Sequence, residues 1–487
     1  MLVVAAISGG VLLFRREPPA SVLTVWVFAD SHARLYRPLE PQFESKSGQS
    51  LEIELITTRA LNVRLMSLFM SGQRDKSLPD AVEIELTSIG RYFRPPLSQI
   101  GFLPLNEYLQ NSGFREIESI HAPGRKGWNA RIIADGRIYT HDGMKWVLNP
   151  ARTIPDAWID RIVKSRFAPW SRDGVIFGVP HDVHPVTITY REDLFREAGI
   201  DLSAAKTWRE FHLQGLAFQR YWSQRGYRQR HALELSRASA EHLSIMLLQR
   251  GINLVDDRNH IHIAERKVAE TLAFYVQLVE GPQQIAGEAS SGTGPWVADI
   301  EAGNLCASLT PDWRVNYLRV YGKELRGKLR MMPLPRFDPT DAPTSTWGGT
   351  MIGIPKDSPS PHESWKLIEF LYFSEEALDR RRREGDILPP LMEYWDHPDY
   401  HLPDPLFGGQ MVKELYVELA PQIPRQYATP VSSIANSVLT VVLNRAVAHF
   451  REHGEVGLLP AIEKWLEVAE VDLQARIEQS SFDGQDR

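Results

Sequence analysis

The sequence predicts an α/β protein built as two lobes, and three features carry that expectation. The chain has 487 residues, more than one compact hydrophobic core usually holds. Near its start a β-rich run, Val22 to Phe28, precedes a stripe of Leu35, Leu39 and Phe43 with the repeat of a helix, and then an alternating run from Leu51 to Ile56. That is a strand–helix–strand unit. In the middle, Gly178 to Gly199 has the pattern of a strand that leaves one lobe and enters another. Val186, Ile188 and Tyr190 alternate with Thr187, Thr189 and Arg191, and Pro180 and Pro185 keep the approach extended.

Composition narrows the functional classes. A formal net charge of −6 gives no concentrated basic face for nucleic acid. The single cysteine, Cys306, rules out an internal disulfide framework and a cysteine-rich metal site. Met1 to Phe14 is almost wholly apolar and ends at Arg15-Arg16-Glu17 and Pro18-Pro19. This run is shorter than the ~20 residues of a membrane span, so residues 1–21 are expected to be a signal peptide or a membrane anchor.

Taken in order, the first helix carries Pro38 and Pro41 and ends at Gly48; a second is expected from Leu61 to Met70, and a short strand from Leu78 to Leu86. Gly113 to Asn149 has no sustained period, so about 113–157 is expected to be an insertion over the first lobe. Trp158 to Phe167 has a helical pattern, and Asp173-Gly174 is a hairpin-type turn. A helix from Asp193 to Ala198 stops at Gly199, and Thr207 with Glu210 forms a capping box for the next. Helical stripes follow at Ala240 to Gln249 and Ala264 to Val279, with His260 and His262 alternating on a solvent-facing strand between them. Ser360, Pro361 and Glu363 form a second capping box, Arg380 to Arg383 a solvated helix face, and Ala420 to Ile477 helices packed back on the second lobe. Trp208, Trp365 and Trp465 lie on helical stripes and are assigned to the core.

Several of these segments occur in a telling order. Leu78-Pro-Asp-Ala-Val, Gly101-Phe-Leu-Pro-Leu-Asn-Glu-Tyr-Leu109, the Gly178 to Gly199 stretch followed by Lys206-Thr-Trp-Arg-Glu-Phe211, and Ile300 to Leu309 with Pro311-Asp-Trp313 come first. Lys328 to Pro335, and Thr346-Trp-Gly-Gly-Thr-Met-Ile-Gly-Ile-Pro-Lys356 followed by Ser360 to Leu371, complete the set. The whole resembles the extracellular solute-binding proteins of ABC importers, in particular the sugar-binding class similar to maltose-binding protein (family 1). The resemblance implies a two-lobe, periplasmic-binding-protein-like fold of type II, with open parallel-type sheets, helices on both faces and a ligand cleft between the lobes. It divides the chain into an N-terminal lobe, 22–183 plus 350–386, and a C-terminal lobe, 187–346 plus 390–480. Crossings are implied near Asp182 to Thr187, Gly348 to Met351 and Asp386 to Pro390, and few connections make the closure angle soft.

The same resemblance implies a monomeric, non-enzymatic receptor in the periplasm or outside the cell, free or membrane-anchored. Its partners would be a small-molecule ligand of carbohydrate type and ABC permease membrane subunits, without nucleic acid or cofactor. Two alternatives stand beside it: an anchored sensory module of the same fold, and a carbohydrate-active enzyme using the acidic and aromatic residues of a cleft. No G-x-S-x-G, G-x-G-x-x-G, P-loop or H-E-x-x-H motif is present.

Sugar binding needs flat aromatic faces and planar polar side chains, gathered where strands end and chains cross. By segment, the expected ligand contacts are Asp30 and Ser31 after the first strand, Glu85 and Thr87 after the Pro-Asp strand, and Asp182 at the crossing. From the other lobe come Asp312 and Trp313, with Trp347, Gly348 and Gly349 at the second crossing. An aspartate after a strand caps a helix about as often as it meets a ligand. His181 and His184 flank Asp182 in an H-x-x-H spacing, but zinc requires a third ligand and orienting partners. None stands nearby in sequence, so no metal is expected.

Overall fold

The computed structural model describes residues 22–71, 78–94, 96–110, 131–134, 137–141, 146–153 and 157–482. The expected leader or anchor, 1–21, and much of the expected insertion lie outside them. Where the insertion is described, Arg131–Ala134, Arg137–His141 and Trp146–Thr153 pair as an antiparallel three-stranded sheet.

Val22–Val27 pairs in parallel with Ser50–Leu55 on one side, Val22 opposite Ser50 and Val27 opposite Leu55, and with Ala81–Glu85 on the other. Onto Ala81–Glu85 folds Thr350–Gly353, antiparallel, and Val179–Pro180 closes the edge, also antiparallel. The first sheet is therefore mixed rather than parallel throughout. Its later strands belong to segments that connect with the second sheet; Thr350–Gly353 runs opposite to the first three strands, and Val179–Pro180, antiparallel to it, runs with them. The second sheet is antiparallel: Ala307–Thr310, Thr187–Arg191 and Leu329–Met332, in that order. Residues 181–186 run from the first sheet to the second. Beside them lie residues 345–346, where Val186 N donates to Ser345 O at 3.0 Å, and residue 388, whose carbonyl accepts from Val183 N at 3.2 Å. Burial on both faces explains why Thr187 and Thr189 are as hidden as Ile188; the Thr187 hydroxyl is satisfied by Thr310 O at 2.8 Å.

Two large buried clusters pack the sheets, and the first reaches across to Leu329 and Met331 of the second sheet. Leu23, Val25 and Val27 pack with Leu367 and Leu371. Ile188 and Leu309 pack with Phe195 and Trp208, and with Leu439, Leu443 and Leu466 from the C-terminal helices. Ser432–His453 and Leu458–Phe482 lie against Arg266–Val279, as expected of the C-terminal region. The segment leading into them touches the first sheet. Ala428 joins a cluster with Trp26, Ile84 and Met351, and a Cβ on Gly90 would sit 2.2 Å from Thr429 O. Among the described residues, no helix is long and apolar enough to cross a membrane.

Local chemistry accounts for what the sequence pattern captured and what it did not. Asp173 and Gly174 both have positive φ, 50° and 80°, and turn Ser171–Arg172 into Val175–Ile176. The first helix is broken: Asp30–Tyr36 and Glu40–Ser47 flank a 3-10 turn at Arg37–Leu39, where Pro38 removes a backbone donor, and Gly48 caps the second half in the left-handed conformation. Trp158–Arg161 is a single turn followed by a 3-10 segment, Lys164–Trp170, containing Pro169. His260 and His262 sit on a turn gathered by the Asp256 carboxylate rather than on a strand. Ser360 stands at a helix N-cap with Pro361 behind it, but its side chain makes no capping bond. The arginine run is not a solvated face. Arg381 is 1 % exposed, and its Nη1 donates to His181 O at 2.6 Å. Trp208 and Trp365 are buried, while Trp465 only packs at the edge of its core.

The Thr207 box is fully made: Thr207 Oγ1 accepts from Glu210 N at 3.2 Å and Glu210 Oε2 accepts from Thr207 N at 3.0 Å. Thr207→Ala is expected to lower unfolding free energy by about 1 kcal/mol in urea titrations, with Thr207→Ser close to the parent.

Candidate ligand cleft

A cleft of about 770 Å³ opens between the two sheets. Phe28 follows the first strand, and Glu85 ends the third, so both stand at carboxyl ends of strands, where α/β sheets present ligand groups. The opposite wall is helical. Glu241 and Ser244 come from Glu241–Gln249, and Asn436, Ser437 and Thr440 from Ser432–His453. Ser244 Oγ donates to Asn436 Oδ1 at 3.2 Å and Ala240 N to Thr440 Oγ1 at 3.2 Å, which ties the two helices at the rim.

Trp313 and Trp347 supply the aromatic surface, their rings 5.4 Å apart and inclined at 71°. Each indole is held by its N–H: Trp313 Nε1 donates to Trp347 O at 3.1 Å, and Trp347 Nε1 to Glu241 Oε1 at 2.9 Å. Arg314 lies 4.9 Å from the centre of the Trp347 ring and 3.9 Å from that of Trp296. It is fixed there by Glu234, with Nη1–Oε2 at 3.0 Å and Nη2–Oε1 at 2.9 Å. A fork-on-fork pair of this kind sets geometry as well as charge. Burial would raise the Glu234 pKa, but Arg314 outweighs it and keeps the carboxylate below its ordinary range. Glu85 is different: burial raises its pKa, and the Glu241 charge adds to that rise.

Beneath the cleft floor the crossing segments meet in a buried charge cluster. Arg166 donates through Nε to Asp182 O at 3.0 Å, and its Nη2 lies 3.1 Å from Asp182 Oδ1. Asp182 Oδ2 lies 3.1 Å from His184 Nε2, and His184 Nδ1 meets Asp312 Oδ1 at 2.5 Å. The carboxylates also fasten backbone. Asp182 Oδ2 accepts from Thr350 N at 3.1 Å and Asp312 Oδ2 from Leu388 N at 2.7 Å. Burial alone would depress the His184 pKa, yet the flanking carboxylates raise it to about 9. Burial likewise opposes Asp182 ionisation, and His184, His181 and Arg166 overcome it, holding that carboxyl well below its usual range. His184 has φ 55°, a conformation rare outside glycine.

The sequence-based candidates divide accordingly. Glu85, Thr87, Trp313, Trp347, Gly348 and Gly349 line the cleft together. Gly349 has φ 150°, and a Cβ there would lie 2.3 Å from Arg166 Nη2. Asp182 and Asp312 do not line the cleft; each is 1 % exposed and committed to His184 and the crossing backbone. Asp30 pairs with Arg34 at 3.2 Å on an exposed helix start, and neither it nor half-buried Ser31 lines the cleft. The helical wall was not anticipated. Its signal is the polar triplet Asn436, Ser437 and Thr440 on one face of an otherwise apolar stretch.

Residues 145–377 match the profile of the family described as bacterial extracellular solute-binding protein. The arabinooligosaccharide-binding protein of Halalkalibacterium halodurans is 23 % identical over 331 residues, which is 65 % of this chain and 70 % of that one. In fold, the chain is similar to an extracellular solute-binding protein of family 1, with TM-score 0.67, 16 % identity, and coverage of 93 % of this chain and 100 % of the other. It is also similar to the sugar-binding protein MalE from Xanthomonas citri, with TM-score 0.64, 18 % identity, and coverage of 93 % and 99 %.

The buried cluster makes a pH signature. A histidine raised to about 9 in the folded chain contributes stability that is complete below its unfolded pKa of about 6.5 and is lost as pH rises through 9. Thermal melts should therefore show a falling midpoint between pH 6.5 and 9 beyond that of a His184→Gln variant. Parallel curves for the two proteins would contradict the assignment.

Proposed function

Because this chain belongs to the family of bacterial extracellular solute-binding proteins, we propose that it is a receptor that captures a neutral oligosaccharide in the cleft and delivers it to the membrane subunits of an ABC importer. It is a binding protein and not an enzyme. The observation that carries the sugar assignment is the pair of inclined indoles, Trp313 and Trp347, set among carboxylate, amide and hydroxyl groups from both walls. Sugar rings offer apolar C–H faces edged by hydroxyls, and this surface meets both at once. Phe28 and Tyr317 extend the aromatic surface, and Gln426 adds an amide from the segment ahead of the C-terminal helices. The cleft volume lies in the ~300–1,000 Å³ range of small-molecule sites. The named ligand of the H. halodurans relative supports a short oligosaccharide rather than a single sugar.

Delivery requires closure, and the proposed lobes are residues 22–183 with 350–386 and 187–346 with 390–480. Phe28 and Glu85 stand on one and Glu241 and Trp313 on the other, so a solute touching both sets the angle between them. The apolar run at residues 1–14 supports export, as a leader or as an anchor.

Titration calorimetry against arabino- and malto-oligosaccharides is expected to show one site per chain. Trp347→Ala is expected to weaken the best ligand by at least ~10-fold, or ~1.4 kcal/mol, and Asp30→Asn to leave it unchanged. Absence of heat with every neutral saccharide, alongside binding of peptides or amino acids, would refute the sugar assignment.

A further inference from the structure

Within the first lobe, three residues distant in sequence converge: His32 on the first helix, Glu83 in the strand Ala81–Glu85, and His181 just beyond Val179–Pro180. One ligand-capable atom from each lies within 4.8 Å of the others, and all three side chains are buried. Two features set the group apart from an ordinary buried polar cluster. The first is an unmet atom: His181 is 0 % exposed and its Nε2 has no hydrogen-bond partner. Its other nitrogen, Nδ1, lies 3.3 Å from the Asp182 carboxylate. A carboxylate behind an imidazole fixes the tautomer and aims the far lone pair, which is how metal-binding histidines are oriented. Burying an acceptor without a partner is unfavourable, so the aimed lone pair calls for an occupant.

The second feature is how Glu83 is held. Its Oε1 accepts from the hydroxyls of Tyr36 at 2.8 Å and Tyr372 at 2.9 Å, which leaves Oε2 facing His32 Nδ1 at 2.7 Å. The two outer donors fix the carboxylate while its inner oxygen points at the histidines.

We propose that His32 Nδ1, Glu83 Oε2 and His181 Nε2 bind one zinc ion, with Tyr36, Tyr372 and Asp182 orienting the three ligands. Two imidazoles and one carboxylate form the three-ligand set that zinc takes with a further position open. The His32 and His181 rings lie 4.2 Å apart with a 32° tilt. Loading turns the His32 ring and widens its spacing from Glu83 to about 3.3 Å, as zinc bonds of about 2.0–2.1 Å require. Arg381 stands close by, its Nη1 on His181 O. Its positive charge disfavours magnesium and calcium, which are held by charge and oxygen alone, and leaves an ion with strong bonds to imidazole. The ion would join the first helix, the sheet and a crossing segment, independently of any solute in the cleft.

The test uses the full chain, stripped with a chelator and dialysed against zinc. The expected result is about one zinc per chain, with a thermal midpoint that rises on loading and falls back on chelation. Cobalt(II) in place of zinc is expected to give intense visible bands of low-symmetry nitrogen and oxygen coordination, a readout that stability does not move. Glu83→Gln and His181→Gln should lose zinc and the bands; His262→Gln, which alters the exposed Asp256 turn, should keep both. Uptake below about 0.1 zinc per chain with no melting shift would overturn the proposal. So would undiminished uptake by folded Glu83→Gln, or loss of uptake in His262→Gln. Should the Glu83 and His181 variants not fold, the parent's stoichiometry and cobalt bands decide the matter.

Discussion

Four buried charges that alternate in sign hold the crossing segments in place: Arg166, Asp182, His184 and Asp312. Their side chains are 1, 1, 7 and 1 % exposed, so water screens none of them. With His184 protonated the cluster sums to zero, and its carboxylates also take backbone N–H groups from Thr350 and Leu388. Removing one member strands a buried charge, a loss of about 3–5 kcal/mol in comparable pairs. The cluster therefore fixes where three stretches of chain lie relative to one another.

The cleft inherits its geometry from that pivot. His184 faces it on one side and is gripped by carboxylates on the other. Gly349 passes over Arg166 too closely for a side chain and Gly348 has φ 84°, and Trp347 stands just before them on the floor beside Trp313. Behind Trp347, Arg314 and Glu234 repeat the principle on a smaller scale: a buried ion pair whose consequence is the pose of an indole. Rigid aromatic faces set by buried charges, with adaptable hydroxyl and amide groups at the rim, form a surface suited to sugars.

Much of this was legible in the sequence. Short-range chemistry was the most transparent: Asp173-Gly174, the Thr207 box and the glycine stops at 48 and 199 have the geometry that their residue types demand. Segment order supplied the fold, and the tryptophans at 313 and 347 reached the cleft. What the pattern missed is set by distance in the chain. Asp182 stands in a loop and Asp312 at a helix start, as ligand contacts would, and only the third dimension shows that both are occupied by His184. Arg381 sits in a run of four arginines on a helix, and only its proximity to the crossing draws it inside. His181 lacked a third ligand in its neighbourhood because the partners, His32 and Glu83, lie well over 90 positions upstream. The strand directions in the first sheet followed from chain crossings that no local period encodes.

The most direct test is a crystal structure of the complex with the tightest-binding oligosaccharide. The account predicts sugar rings against the faces of Trp313 and Trp347, hydroxyls on Glu85 and Glu241, and the Arg166–Asp182–His184–Asp312 contacts intact. A sugar bound away from those indoles, or a cluster pulled apart on closure, would contradict it.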